Sequence, residues 1–236
     1  MRYFFINEGT PHEIRAALSP YGICVPLPEF EALPHPVCRH PDMLMANING
    51  TIFIHREYQK GQAVLRDLGI PFLISESAVT DTYPGDVALN CFDVCGHLFA
   101  KASAVSGEVL QKARENKMPV LSVSQGYTKC STVIIKNAIA TADKGIAKAA
   151  KSVGIPTLLL PPHKIGIEVY DTGFIGGASM TVTENTLGFF GKIEDYPSYE
   201  DLKAFFSTFG VEIVSLSENP LFDYGGAVTV EITVFE

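Results

Sequence analysis

Five times along the chain, a helical period of apolar residues gives way to a short, unbroken apolar run. The junctions read "YGICVPL" at 21, "LGIPFLI" at 68, "NKMPVLSV" at 116, "VGIPTLLL" at 153 and "FGVEIVSL" at 209. Four of them place Gly where the helix stops, because glycine takes the left-handed C-cap conformation without a Cβ clash. The apolar run that follows predicts a buried strand. The helices ahead of these junctions also have recognisable starts. Thr10-Pro11-His12-Glu13 reads as a capping box with Pro at the first helical position. Asp143 stands before "KGIAKAAKSV", and Ser198 with Asp201 opens "YEDLKAFFSTF". Segments 56–67 and 104–115 carry the same period with weaker caps.

A pair of short strands precedes each helix. "DMLMANINGTIFIH" from 42 contains Asn49-Gly50, a two-residue hairpin signal. "DVALNCFDVCGHLFAK" from 86, "CSTVIIKNAIATA" from 130 and "GASMTVTENTLGFFG" from 177 follow the same plan. The starts lie 44 residues apart from 42 to 86 and again from 86 to 130, then 47 to position 177 and 49 to position 226. The fifth unit is split. "GAVTVEITVFE" supplies one strand, and "RYFFI", a helix and "YGICVPL" at the N-terminus supply the rest. The repeat is therefore strand–strand–helix–strand, expected five times in one domain. The approximate units are 42–82, 83–127, 128–171, 172–221, and 222–236 joined to 1–41.

Composition narrows the class. At 236 residues and 47% hydrophobic, the chain can bury a large core, and 19% charged residues without long charge runs argue against disorder. The net charge of −8 disfavours a nucleic-acid partner and favours a small cationic ligand if carboxylates converge. No apolar run reaches the roughly 18 residues that a membrane helix needs, so no membrane partner is expected. The start, "MRYFFINEGTPHE", does not read as a signal peptide. The five cysteines, at 24, 38, 91, 95 and 130, are odd in number and lack CxxC pairs, so reduced thiols in a cytoplasm are expected rather than disulfides or a metal site. Cys91 and Cys95 read as buried small residues. No cofactor motif stands out, and the glycines of "GFIGGAS" fit a phosphate loop poorly. The segment 26–41, "PLPEFEALPHPVCRHP", has five prolines and no period, and reads as an ordered loop able to cover a pocket.

Five ββαβ units closing through the two ends resemble the pentein fold, the five-bladed α/β-propeller of the guanidine-modifying enzymes. "YPGDVALN", "GYTKCSTVI" and "GFIGGASMTV" are most similar to a small bacterial family of that fold without an established activity. The resemblance implies a central well where the first strand of each unit begins, binding a small cationic, guanidine-type ligand with amidinohydrolase-like hydrolysis as an option. The alternative is a non-catalytic, degenerate pentein that binds or scaffolds. A ribosome-bound role, as in the non-catalytic anti-association relative, is disfavoured by the charge.

Unit spacing puts Asp42, Asp86, Cys130, Gly177 and Gly226 in equivalent places. Attack on a guanidinium carbon needs a thiolate, a proton donor for the leaving amine, and carboxylates around the cation. Cys130 and His163 are the catalytic candidates, and Asp42, Asp86, Ser131, Gly177 and Ser179 the ligand-binding ones. The family's nucleophile is a Cys in the last unit, where this chain has "LFDYGGAVTV" with no sulfur. Its catalytic His lies in the later units, where His163 is the one histidine here. The residues also admit plainer readings: Asp as a turn former, Cys130 as a small core residue, His163 as a loop residue. His40, His55 and His97 read as structural or exposed.

Overall fold

A computed structural model describes residues 1–232. The described residues form five three-stranded sheets built to one plan. The first unit has β3 (Met45–Ile48) antiparallel to β4 (Thr51–His55), then α3 (Gln59–Asp67), then β5 (Leu73–Ser75) parallel to β4. The second repeats it with β6 (Phe92–Val94), β7 (His97–Ala100), α4 (Gly107–Glu115) and β8 (Val120–Ser122). The third has β9 (Thr132–Ile135), β10 (Ala138–Thr141), α5 (Lys144–Ser152) and β11 (Thr157–Leu159). The fourth has β12 (Ser179–Thr183), β13 (Thr186–Phe189), α6 (Tyr199–Ser207) and β14 (Glu212–Ser215). In the fifth, β15 (Val228–Glu231) pairs antiparallel with β1 (Arg2–Asn7), which α1 (His12–Leu18) connects to its parallel neighbour β2 (Ile23–Leu27). The split unit is thus assembled from both ends of the chain. Residues 233–236 of its predicted last strand lie outside the described residues.

The local chemistry explains the turns. Asn49 (φ 47°) and Gly50 (φ 78°) form a two-residue hairpin with both residues left-handed, and Cys95 (φ 49°) with Gly96 (φ 73°) repeats it. Cys95 is therefore exposed at a turn rather than buried as expected, while Cys91 is buried. Asp143 caps α5 by accepting the Ile146 N–H at 2.8 Å. The Thr10 capping box does not form. The Thr10 N–H closes a turn on Asn7 O, and its buried hydroxyl has no partner among the described residues. Ser198 does not cap α6 either; its hydroxyl lies 3.0 Å from His163 Nε2. At the left-handed end of α4, Lys117 (φ 54°) stands where other units use Gly.

The third strands are less buried than their apolar runs predict: Ile23, Leu73 and Leu159 are 48%, 44% and 41% exposed. Each is the unpaired edge of its sheet, so one side of the strand meets solvent. The core lies instead on the first and second strands and the helix faces over them, with Phe4, Phe53, Phe99, Ile139 and Phe189 fully buried.

Neighbouring units are joined through their first strands and hairpin turns. Asn47 Nδ2 donates to Thr229 O (2.8 Å), the Asn49 N–H to Asp93 Oδ1 (3.1 Å), Thr181 Oγ1 to Ile134 O (2.8 Å) and Thr229 Oγ1 to Thr181 O (3.4 Å). A weak contact from Cys95 Sγ to Lys136 O (3.9 Å) links the second unit to the third. Among the described residues no helix is long and apolar enough to cross a membrane.

The strand starts differ from the expected ones. Asp42 lies in a helical turn, α2 (Pro41–Leu44), and β6 begins at Phe92, well after Asp86. Hairpin turns fix the true register: from Asn49 to Cys95 is 46 residues, and from Cys95 to Lys136 is 41. The two equal 44-residue spacings paired positions that are not equivalent. Two residues before the first strands stand Met43, Asn90, Cys130, Gly177 and Gly226. Asn90, not Asp86, stands two residues before its strand as Cys130 does, and counted from the hairpin turns Leu89, the neighbour of Asn90, matches Cys130.

Candidate functional site

The turns that lead into the first strands gather around Cys130. Asn90 organises them. Its Oδ1 accepts the N–H groups of Lys129 (2.8 Å) and Cys130 (3.2 Å), and its Nδ2 reaches Cys130 Sγ (2.9 Å) and Asp42 O (3.1 Å). One buried side chain therefore fixes the turn bearing the thiol to the turn bearing Asp42. Removing it leaves buried N–H groups without acceptors. Asn90→Ala is expected to cost about 2–3 kcal/mol by urea denaturation; a loss under about 0.5 kcal/mol would show that water replaces the amide.

A cavity of ≈ 290 Å³ opens among these turns, and we call it the loop cavity. Cys130, His40, Asp171, Thr172 and Asp223 form its polar lining, with Tyr127, Tyr170 and Phe174 as aromatic walls. Asp223 is 1% exposed and firmly held: Oδ2 accepts the Phe174 N–H (2.8 Å) and Oδ1 the Gly225 N–H (2.9 Å). His40 Nδ1 lies 3.7 Å from Asp223 Oδ1. Glycine makes room for this pair. A Cβ on Gly177 would stand 2.0 Å from Asp223 Oδ1, and one on Gly225 (φ 78°) would stand 2.3 Å from His40 Cβ. The glycines of "GFIGGAS" thus serve close packing.

Burial governs the electrostatics. It pushes the His40 imidazole below its ordinary value, against the pull of Asp223, and keeps it neutral near pH 7. It raises Asp223, opposed by His40, two backbone N–H groups and Lys129. It drives the Cys130 thiol well above its ordinary value, with Asp42 and Asp223 adding to the rise, so the resting sulfur is protonated. Asp42, 2% exposed, is pushed up to about 7 by burial, against the attraction of Lys129.

The sequence candidates scatter around this centre. Asp42 stands beside Cys130 but lines a second cavity of ≈ 320 Å³, together with Lys129, Ser179 and the first strands; we call it the strand cavity. Asp86 lies behind the loop cavity, where Oδ2 accepts the Tyr127 hydroxyl at 2.6 Å and so orients one wall. Gly177 supports Cys130 through its N–H to Cys130 O (3.0 Å). Ser131 and His163 lie elsewhere, on a third cavity of ≈ 210 Å³, where His163 packs edge-on against Tyr196. The structure does not bring His163 to Cys130. Segment 26–41 is a packed wall, with Phe30, Leu33 and Val37 buried and Val37 and His40 facing the loop cavity.

Sequence reading missed Asn90, Asp223 and Tyr127, and took His40 for a structural or exposed residue. Counting outward from hairpin turns instead of between aspartates lands on Leu89, one residue from Asn90. Nothing local marks Asp223, whose neighbours in space are distant in the chain. His55 is structural, as expected: fully buried, with Nε2 on Met43 O at 2.9 Å.

The fold has known counterparts. Agmatine deiminase from C. jejuni superposes with a TM-score of 0.54 at 11% identity, over 97% of this chain and 92% of that one. DDAH from Pseudomonas aeruginosa, solved with citrulline, gives 0.52 at 8% identity over 97% and 98%. SxtG, an amidinotransferase from Microseira wollei in the saxitoxin pathway, gives 0.51 at 12% identity over 94% and 82%. All three are pentein-superfamily structures, and at these identities the likeness concerns the fold alone. No curated protein matches the sequence. The family model that does match spans residues 5–228, and the chain, with its pentein fold, belongs to the family of unknown function DUF6873.

Proposed function

We propose that the five sheets are the blades of one pentein-type propeller and that the loop cavity binds a small cation of the guanidine or amidine class. Asp223 is the observation that carries this reading. A carboxylate so deeply buried, on an aromatic-walled cavity and partnered by a neutral imidazole, gains most from a ligand that brings positive charge. Tyr127, Tyr170 and Phe174 suit the flat faces of a guanidinium, and Asp42 adds a second charge behind Cys130. Burial raises the Asp223 carboxyl and a bound cation favours its ionised form, so affinity is expected to fall as acid protonates it. Titration calorimetry with alkylguanidines and amidines tests this. Binding is expected to weaken tenfold or more in Asp223→Asn, about 1.4 kcal/mol. If the whole panel leaves the protein silent, the cation reading falls and the non-catalytic scaffold takes its place.

Cys130 supports a second reading, amidinohydrolase-like chemistry at the same site. Its sulfur lines the cavity that holds His40 and Asp223. Attack on the guanidinium carbon would break one C–N bond and release an amine, with water completing hydrolysis. Such a thiol needs a group to take its proton.

A further inference from the structure

Two cavities meet at one pair of side chains. Cys130 lines the loop cavity, and Asp42 beside it lines the strand cavity. Neither oxygen of Asp42 has a hydrogen-bond partner among the described residues, although the residue is 2% exposed. A buried carboxyl normally finds donors, because leaving it unpaired is costly. Its backbone is anchored on both sides, the N–H on Gly225 O (3.2 Å) and the carbonyl under Asn90 Nδ2 (3.1 Å). The turn bearing Asp42 is therefore fixed beside the sulfur, because Asn90 Nδ2 reaches both Asp42 O and Cys130 Sγ, and the carboxyl keeps free lone pairs. The charged groups acting on it are Lys129, from the turn carrying Cys130, and Asp223, from the turn before β15.

We propose that Asp42 is the proton acceptor for the Cys130 thiol, and that the proton leaves through the strand cavity, on the side away from the ligand. The S–H bond breaks as an O–H bond forms on Asp42, leaving a thiolate that faces the loop cavity. With iodoacetamide as electrophile, an S–C bond then forms, the C–I bond breaks and iodide departs. The proton on Asp42 passes to water in the strand cavity. Lys129, on the same cavity, offsets the charge when Asp42 is ionised. The proposal rests on the loop cavity being open to a small reagent, and on nothing about which cation it binds. A silent guanidine panel leaves it standing.

The test is the rate of Cys130 alkylation by iodoacetamide in the folded protein from pH 5 to 10, read peptide by peptide by mass spectrometry. Wild type is expected to level off above about pH 7, where Asp42 is already ionised. Exposed Cys95 serves as the internal reference, with a rate that goes on climbing. In Asp42→Ala the plateau disappears, the rate at pH 7.5 falls at least tenfold, and added formate restores it saturably through the strand cavity. A wild-type rate that climbs tenfold per pH unit throughout overturns the proposal. So does an unchanged profile in Asp42→Ala, or a Cys130 that reacts only on unfolding. Buried Cys38 and Cys91 must stay unlabelled for the variant to count as folded. Should they react, the wild-type profile decides alone.

Discussion

Asp42→Asn is expected to stabilise the protein at pH 8 by as much as about 4 kcal/mol and to change little at pH 4. Burial moves the carboxyl from an ordinary 3.8 to about 7, a rise of about three pKa units at roughly 1.4 kcal/mol each. Between those values the folded protein holds a proton that the unfolded chain has released. Stability therefore falls as pH rises from about 4 to 7, and the loss persists above it. Asn keeps the shape without the charge and removes the loss. His55 slopes the other way. Its ring, buried and neutral, is lowered from 6.5 to about 4, so the unfolded chain binds a proton first and stability falls by about 3 kcal/mol as pH drops through that window. In wild type these two slopes largely offset each other between pH 4 and 6.5. In Asp42→Asn the acid loss from His55 stands alone. Urea midpoints across pH 4–9 for both proteins check this, and a destabilised variant at pH 8 would mean that attraction to Lys129 outweighs burial.

The second large effect is steric. A Cβ on Gly176 would stand 2.4 Å from Thr132 O, 2.5 Å from Lys129 O and 2.6 Å from Cys130 O. All three are backbone atoms of the turn that carries the thiol and of the first residue of β9, and no rotamer change clears them. Gly176→Ala is expected to cost 4 kcal/mol or more, on the order of the largest single-site losses, or to prevent folding. Gly107, at the start of α4, has open space around its Cβ position. Gly107→Ala is expected to gain about 0.5–1 kcal/mol from helix propensity and reduced unfolded-state freedom. Thermal melts of the two variants separate close packing from a general intolerance of substitution. A Gly176→Ala protein that melts with wild type would mean that the turn shifts freely, and the fixed position of Cys130 would lose its support.

How much of this was legible follows from the range of each signal. The repeat was written locally, in helix-to-strand junctions and Asn-Gly turns, and the structure returns every one of the five units with its strands and helix. The split unit was legible because both its halves are apolar and incomplete alone. The site was harder. Its members come from turns, whose lengths vary between units, so equal spacing between Asp42, Asp86 and Cys130 misled, and hairpin register comes only within one residue of Asn90. Ser131 follows Cys130 in the chain yet faces a different cavity, because successive residues in a turn diverge. His40 and Asp223 meet only after the chain has closed on itself, and no window of sequence holds both.

The pairing of β15 with β1 also sets an order of events. Arg2 is aligned with Glu231, so the first strand made waits for nearly the whole chain before it finds its antiparallel neighbour. The other four sheets draw on contiguous stretches and can form as synthesis proceeds. Asp223 travels just ahead of β15, whereas His40 and Cys130 emerge long before it. Asp223 therefore joins the loop cavity late in assembly. A nascent or truncated chain can carry four of the five sheets and still lack the Asp223 side of the loop cavity.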